Sequence, residues 1–258
     1  MSDNEVTSSD IDNVLNNIDI AVNNESLSKE AGEILKPVIV NTISNDIVGL
    51  VPSEYENEEV TLISILIDDS LSIEHYNNKQ FVINGHNIFL DVLSGSNSVA
   101  RNNSLIHTSY INNGVLFPFT TIDKAVKMDN SNYNPDGGTP LYDSVLEVLG
   151  KMVLLGDEYH NRGIRYKTIT IIITDGENCG GEIKDPKIVS PIVTDMLDSG
   201  EHSIYAYGID VDSVDLYSIF IDMGIKDEYI LTTGDSESEI REAFNFISQS
   251  SLKGEKLR

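Results

Sequence analysis

Residues Val60-Thr-Leu-Ile-Ser-Ile-Leu-Ile67 carry no charge and run directly into Asp68-Asp69-Ser70-Leu71-Ser72. A β-branched apolar run of this length is a strand covered on both faces, the kind found in the middle of a parallel sheet. A chain containing one is therefore constrained to an α/β architecture. The run ends on a carboxylate and two hydroxyls at alternate positions, Asp68, Ser70 and Ser72. Alternate residues of a tight loop can aim their oxygens at one point, and hard oxygen donors gathered this way suit a hard divalent cation such as Mg²⁺. A second run, Thr168-Ile-Thr-Ile-Ile-Ile-Thr174, stops in the same manner at Asp175-Gly176. If the two strands are parallel neighbours, Asp68 and Asp175 leave the same edge of the sheet.

The rest of the chain alternates strands with helices. Phe81, Ile88, Phe89, Val92 and Leu93 form a helical stripe that stops at Ser94-Gly95. Leu105 to Tyr110 and Val115 to Phe117 flank Asn112-Asn113-Gly114, a hairpin signal that makes the later strand antiparallel and places it at an edge. Thr120 to Lys127 reads as a short helix. Leu141, Val145, Leu146, Val148, Leu149, Met152 and Val153 form a strong helical face behind Gly137-Gly138-Thr139-Pro140. Helices follow at Pro186 to Leu197 and Ser213 to Met223, strands at Ser203 to Gly208 and Tyr229 to Thr232, and a closing helix at Asp235 to Ser250. The pattern predicts a Rossmann-like, doubly wound, mostly parallel six-stranded sheet with one antiparallel edge strand and helices on both faces. In such sheets ligands bind beyond the carboxyl ends of the strands, where the strand order reverses. Residues 1–58 read as an acidic extension. Ile11, Leu15, Ile18 and Val22 suggest one short helix there, and Ala31, Ile34, Leu35 and Val38 a second that Pro37 interrupts. The sheet domain is expected over 59–253, with 254–258 as a tail. The extension reads as a poorly ordered tail or as a helix packed on its own domain, with a partner-docking helix as the alternative, and the acidic linker at 52–59 suggests that it is not part of the sheet core.

Asp68-x-Ser70-x-Ser72, then Gly137-Gly138-Thr139-Pro140, then Thr174-Asp175-Gly176 together resemble the von Willebrand factor A (vWA) family. That family carries a metal-ion-dependent adhesion site (MIDAS). The resemblance spans about Val60 to Ser250. It implies a divalent cation held by Asp68, Ser70, Ser72, Thr139 and Asp175, with direct bonds from Ser70, Ser72 and often Thr139. Asp68 and Asp175 then act through water or from behind the hydroxyls. The cation is expected to be Mg²⁺, with Mn²⁺ or Ca²⁺ as alternatives. From its own loop alone, Thr139 before Pro140 reads equally well as a helix N-cap. Asp69, between the ligands, is expected to be solvated, and Asp143 to face the dipole of the helix that Thr139 precedes. Glu177 and Cys179 are placed near the rim.

With 42 acidic against 17 basic residues, the net charge is −25, which disfavours nucleic acid and anionic membranes as partners. A single cysteine excludes an internal disulfide. No stretch reads as a membrane span, and the start of the chain lacks the regions of a signal peptide, so a cytoplasmic setting is expected. The site reads as a binding device rather than an enzyme: the resemblance implies that the metal takes an Asp or Glu of a partner protein. Family analogy suggests an ATPase or another component of a bacterial multiprotein system. Two alternatives stand beside this reading. One is a metal-dependent phosphoester hydrolase, against which Ser70 occupies the place where aspartate-nucleophile phosphatases put a second Asp. The other is a scaffold that keeps the residues without the metal.

Overall fold

The computed structural model describes residues 8–42, 59–95, 103–209 and 214–233, together with Ser238 and Glu242. Six strands form one sheet in the order β3-β2-β1-β4-β5-β6. They are β1 (Glu59–Ile67), β2 (Ser104–Tyr110), β3 (Val115–Thr121), β4 (Arg165–Thr174), β5 (His202–Ile209) and β6 (Ile230–Thr233). All neighbours are parallel except β2 and β3, the hairpin pair, so the antiparallel strand lies at an edge. From β1 the chain first builds outward through β2 and β3, then returns to add β4 on the other side. The strand order therefore reverses between β1 and β4.

Side-chain alternation along β1 divides the core. Leu62 and Leu66 join one apolar cluster, whereas Ile63, Ile65 and Ile67 join another on the opposite face. The second face is covered by α3 (Leu71–His75) and α4 (Lys79–Ser94), through Ile73, Val82, Ile83, Phe89, Leu90 and Leu93. The first is covered by α5 (Leu141–Asn161), α6 (Ser190–Ser199) and α7 (Leu216–Asp222). Polar groups inside the sheet pair locally: Ser64 Oγ with His107 Nδ1 at 3.0 Å, His86 Nε2 with Thr108 Oγ1 at 3.1 Å, and Thr168 Oγ1 with His202 Nδ1 at 2.6 Å. Burial lowers the pKa of these histidines to about 3 for His107 and about 4 for His86 and His202, so all three are neutral imidazoles in the fold.

The stretch Thr120 to Lys127 differs from its expected helix. β3 continues to Thr121, and only Ile122–Lys124 turns, as a 3₁₀ segment. Pairing of Thr120 and Thr121 with β2 outweighs the weak local helical pattern. The expected closing helix at 235–250 lies outside the described residues apart from Ser238 and Glu242, which are helical.

Of the readings open for the extension, the structure shows helices packed on their own domain, sharing its core rather than standing apart from it. Residues Ser8–Asn23 form α1 and Lys29–Thr42 form α2. Pro37 stays inside α2 without interrupting it. Its side is exposed, and so is Glu33, whose carbonyl is the one a residue at 37 would have bonded. The face of α1 that is buried carries Val14, Ile18 and Ala21 rather than Ile11 and Leu15. With Leu27, Ala31, Leu35 and Ile39 these side chains enter the same apolar cluster as α5. The close approach depends on Gly150 of α5: a Cβ there would stand 2.8 Å from Ile39 Cδ1 and 3.3 Å from Leu35 Cδ2. Residues 8–42 are thus continuous with the packing of the sheet domain, because an apolar helix face remains on α5 after α5 has covered the sheet. Leu35→Ala should therefore lower stability by about 2–5 kcal/mol, the range for a buried leucine. Denaturant unfolding checks this, and an unchanged midpoint would show that the extension is detachable.

Candidate metal centre

The parallel register between β1 and β4 sets Ile67 opposite Ile173, and Asp68 N donates to Ile173 O at 2.8 Å. Asp68 and Asp175 therefore emerge side by side at the carboxyl edge, where the strand order reverses. Both are fully buried. Asp68 Oδ1 accepts from Ser70 N at 2.8 Å, and Oδ2 accepts from Thr174 Oγ1 at 2.5 Å. Its carboxylate is thus committed to shaping the loop and holding the neighbouring strand. Asp175 Oδ1 accepts from Ser72 Oγ at 2.5 Å, and Ser72 Oγ lies 2.9 Å from Ser70 Oγ. Asp175 Oδ2 is buried without a hydrogen-bond partner among the described residues. The Asn78 amide is buried close enough to Asp175 to favour its charged form, yet it makes no hydrogen bond of normal geometry.

Thr139 joins this group by its backbone. Thr139 N donates to Cys179 O at 2.6 Å and Cys179 N donates to Thr139 O at 2.8 Å, an isolated bridge that ties the loop before α5 to the loop after β4. The cap position of α5 falls on Pro140, with no side-chain cap bond, so the Thr139 hydroxyl is not spent as an N-cap. A Cβ placed on Gly176 would lie 3.5 Å from both Ser72 Oγ and Thr139 Oγ1, so the two hydroxyls flank one small space. All five residues singled out in the sequence converge here. The set comprises three hydroxyls and two carboxylates, one of which has a buried oxygen without a partner. This fits a small hard cation that keeps water in its shell. It offers no thiolate or imidazole, and no group of three or more His, Cys, Asp or Glu side chains suited to a metal occurs among the described residues.

Asp69 departs from its expected solvated position. It is fully buried, and its carboxylate accepts from Asn112 N at 2.8 Å, Asn112 Nδ2 at 3.2 Å, Asn113 N at 3.1 Å and Asn113 Nδ2. Its carbonyl accepts from Asp136 N at 2.8 Å, and Asn112 Nδ2 also donates to Gly138 O at 2.7 Å. One side chain therefore pins the hairpin turn, and through it the Thr139 loop, to the loop that carries Ser70 and Ser72. Tyr133, also fully buried, donates its hydroxyl to Asp68 O at 2.5 Å. The hairpin signal located Asn112 and Asn113, but nothing local in the sequence shows that a turn reaches back to a carboxylate more than forty residues earlier. Asp143 likewise does more than face a helix dipole: its oxygens accept from Glu182 N at 3.0 Å and Ile183 N at 3.3 Å, clasping the loop that follows Asp175.

Electrostatically the site is under tension. Burial, and then the charge of Asp68, raises the pKa of Asp175 to about 7 against the opposing pull of the Ser72 hydrogen bond. Burial also raises Asp68 and Asp69 above the usual carboxylate range. Bringing a cation into this space relieves the repulsion between the two carboxylates.

Among solved structures, the pilus adhesin SpaC from Lactobacillus rhamnosus GG shares the fold, with a TM-score of 0.55 at 15% identity over 77% of this chain and 31% of that one. The SpRpn10 VWA domain aligns with a TM-score of 0.49 at 13% identity, over 75% of this chain and 96% of that one. Proximal thread matrix protein 1 from the mussel byssus, with a zinc-occupied MIDAS motif, aligns at 0.48 and 17% identity, over 75% and 46%. This chain thus spans about a third of the adhesin and less than half of the thread matrix protein. No family model matches the sequence, and no curated protein does. The fold is that of a vWA domain.

Two outcomes follow from this geometry. Since Asp175 must lose its proton before it can face a cation, Mg²⁺ affinity should rise about tenfold per pH unit up to about pH 7 and level off above it. In the metal-free protein the sign is opposite: protonated Asp175 favours the fold, and this contribution is lost as pH rises through about 7. Calorimetric titration across pH 5.5–8 measures the first effect, and a flat affinity would exclude Asp175 from the site. Asp69→Ala leaves four N–H groups without their acceptor and should weaken Mg²⁺ binding while lowering stability by about 3 kcal/mol or more. Comparing titration with denaturant unfolding tests both parts.

Proposed function

We propose that this chain is a metal-dependent protein-binding module in which Asp68, Ser70, Ser72, Thr139 and Asp175 hold Mg²⁺, with Mn²⁺ or Ca²⁺ as substitutes. The observation that carries this reading is the chain of hydroxyls from Ser70 through Ser72 to Asp175 Oδ1, with Thr139 beside it across Gly176 and the second Asp175 oxygen buried without a partner, at the point where the strand order reverses. A divalent cation held there supplies an electrophilic position for one carboxylate oxygen of a partner protein. Ser70, Ser72 and Thr139 are neutral donors, so they leave the cation's charge largely uncompensated. Asp68 keeps Ser70 and Thr174 in place. Asp69, Asn112 and Asn113 hold the loops in register and remove the ordering cost that binding would otherwise carry.

The surroundings suit binding better than hydrolysis. A hydrolase needs a base for water and a stabiliser for the developing anion. His107 is a neutral imidazole buried in the sheet. The Lys184 ammonium is spent on Gly180 O and Gly181 O, both at 2.7 Å. Between Asp136 and Asp143 there is no Arg or Lys, and Asp136 and Glu177 are exposed. A phosphoester would meet an anionic rim, whereas a single carboxylate needs only the cation and a few loop contacts. A cytoplasmic setting belongs to the same proposal and is supported by the single cysteine; a place in a multiprotein system alongside an ATPase is proposed by family analogy alone. No helix among the described residues is long and apolar enough to cross a membrane.

A cation that binds only the folded state adds about 2.7 kcal/mol at a hundredfold excess over Kd. Millimolar Mg²⁺ or Mn²⁺ should therefore raise Tm above its value in EDTA, and Asp68→Ala should abolish the rise. Partner capture from the native cell should be lost with EDTA and in Thr139→Ala. Identical melting curves in EDTA and Mg²⁺ would favour the metal-free scaffold. Phosphoester turnover that disappears in Asp68→Ala would favour the hydrolase.

A further inference from the structure

A charged side chain outside the metal centre has no part in the reading above. Lys151, in the middle of α5, is 5% exposed. Its Nζ lies 2.8 Å from Glu147 Oε1, one turn earlier on the same helix. Glutamate and lysine at this spacing commonly pair on a helix surface, where both meet water. Here the carboxylate is partly exposed and the ammonium is buried. Lysines ordinarily bury the stem and keep the charged head in water. Turning the head inward carries a desolvation cost that one partly solvated carboxylate offsets incompletely. The charge of Lys151 also reaches His107 on β2, where it adds to the effect of burial in lowering that imidazole's pKa.

On the sheet facing Lys151, β2 presents a hydroxyl in the same condition. Alternation along the strand turns Ser109 towards α5, together with Leu105 and Ile111. Ser109 is buried, and its Oγ has no hydrogen-bond partner among the described residues. Ser109, Glu147 and Lys151 line one cavity of about 130 Å³ between the β2–β3 hairpin and α5, and its apolar lining comes from Leu66, Val115 and Val148. Gly114, exposed at the hairpin turn, stands at its rim, where an added Cβ would meet nothing within 4 Å.

The lining defines what fits. An ammonium has three N–H donors and a serine hydroxyl one, so the polar lining asks for an acceptor, and a charged acceptor bonds about twice as strongly as a neutral one. The apolar lining asks for a short alkyl chain. A cavity of about 150 Å³ holds benzene, so this one takes a molecule of about six non-hydrogen atoms. The net charge of −25 opposes any anion. At physiological salt that opposition is screened beyond about 8 Å, whereas contact with a buried ammonium is not. Glu147, being partly exposed, can turn to water when another carboxylate takes its place on Lys151. We propose that the cavity between the β2–β3 hairpin and α5 is a binding site for a short-chain aliphatic monocarboxylate such as propionate or butyrate. Lys151 and Ser109 hold the carboxylate, and Leu66, Val115 and Val148 cover the alkyl chain. The site needs no cation, which separates it from the metal centre.

The test is a ligand-detected NMR titration of the full chain with sodium butyrate, in EDTA at physiological salt. Butyrate should bind at millimolar concentration, n-butanol about tenfold more weakly, and octanoate should be excluded by its length. Lys151→Met keeps a long side chain without the charge and should weaken butyrate binding about tenfold or more, and Ser109→Ala about threefold. Val115→Phe leaves both donors in place and fills the cavity, so it should abolish binding. Val115 is half-buried on an edge strand, so this variant decides the matter if Lys151→Met does not fold. Equal affinity for butyrate and butanol would make the cavity a plain apolar gap. Equal affinity for octanoate, or butyrate binding unchanged in Val115→Phe, would place the ligand elsewhere. Each of these results overturns the proposal, as does the lack of any butyrate signal. A signal that appears only when Mg²⁺ replaces EDTA also overturns it, assigning the carboxylate to the metal centre and leaving the capture reading intact.

Discussion

The parallel pairing of β1 with β4 brings two carboxylates from positions more than a hundred residues apart to the same edge of a buried sheet. Both strands are covered on both faces, so a register slip of one residue would exchange the apolar sets facing the two cores. Packing against α5 on one side and α4 on the other therefore fixes the register, and the register fixes where Asp68 and Asp175 stand. Strand order reverses at this pair, where connections leave in opposite directions and a crevice opens beyond the strand ends. The loops carrying Ser70, Ser72 and Thr139 close over that crevice.

Holding anionic groups in such a place is costly, and the fold meets the cost in two ways. Asp69 is neutralised by geometry: four N–H groups of the hairpin turn face its carboxylate. Asp68 is treated similarly by Ser70 N and Thr174 Oγ1. Asp175 is not, and one of its oxygens is left without a donor. This difference separates residues that build the site from the one that awaits a counter-charge. The hairpin turn at Asn112 and Asn113 is consequently a supporting wall of the Ser70 and Thr139 loops as well as the end of a sheet edge.

α5 connects the site to the rest of the molecule. Its first turn follows Thr139, Asp143 on that turn clasps the loop after Asp175, and its middle packs against α2 at Gly150. The N-terminal helices thus brace the helix from which the Thr139 loop departs. They contribute nothing to the sheet, yet they share its apolar cluster.

Much of this was legible in the residues. The uncharged run from Val60 to Ile67, the run from Thr168 to Thr174 and the Asn-Asn-Gly turn specify buried strands and a hairpin by local pattern, and these imply the sheet and its antiparallel edge. The five residues that meet beyond the strand ends were readable because their spacing and strand-end positions are local facts. Tertiary structure alone decided the rest. Asp69 reads as solvated until a distant turn supplies its donors, and Thr139 reads as a cap until the bridge to Cys179 turns its backbone another way. Thr120 and Thr121 follow β2 rather than their own helical tendency. The extension looks separate because an acidic linker precedes β1, but its helices are held by an apolar face on α5 that no local pattern reveals. In each case the deciding partner is remote in sequence, so the energy that fixes the residue arises only once the sheet and its helices have assembled.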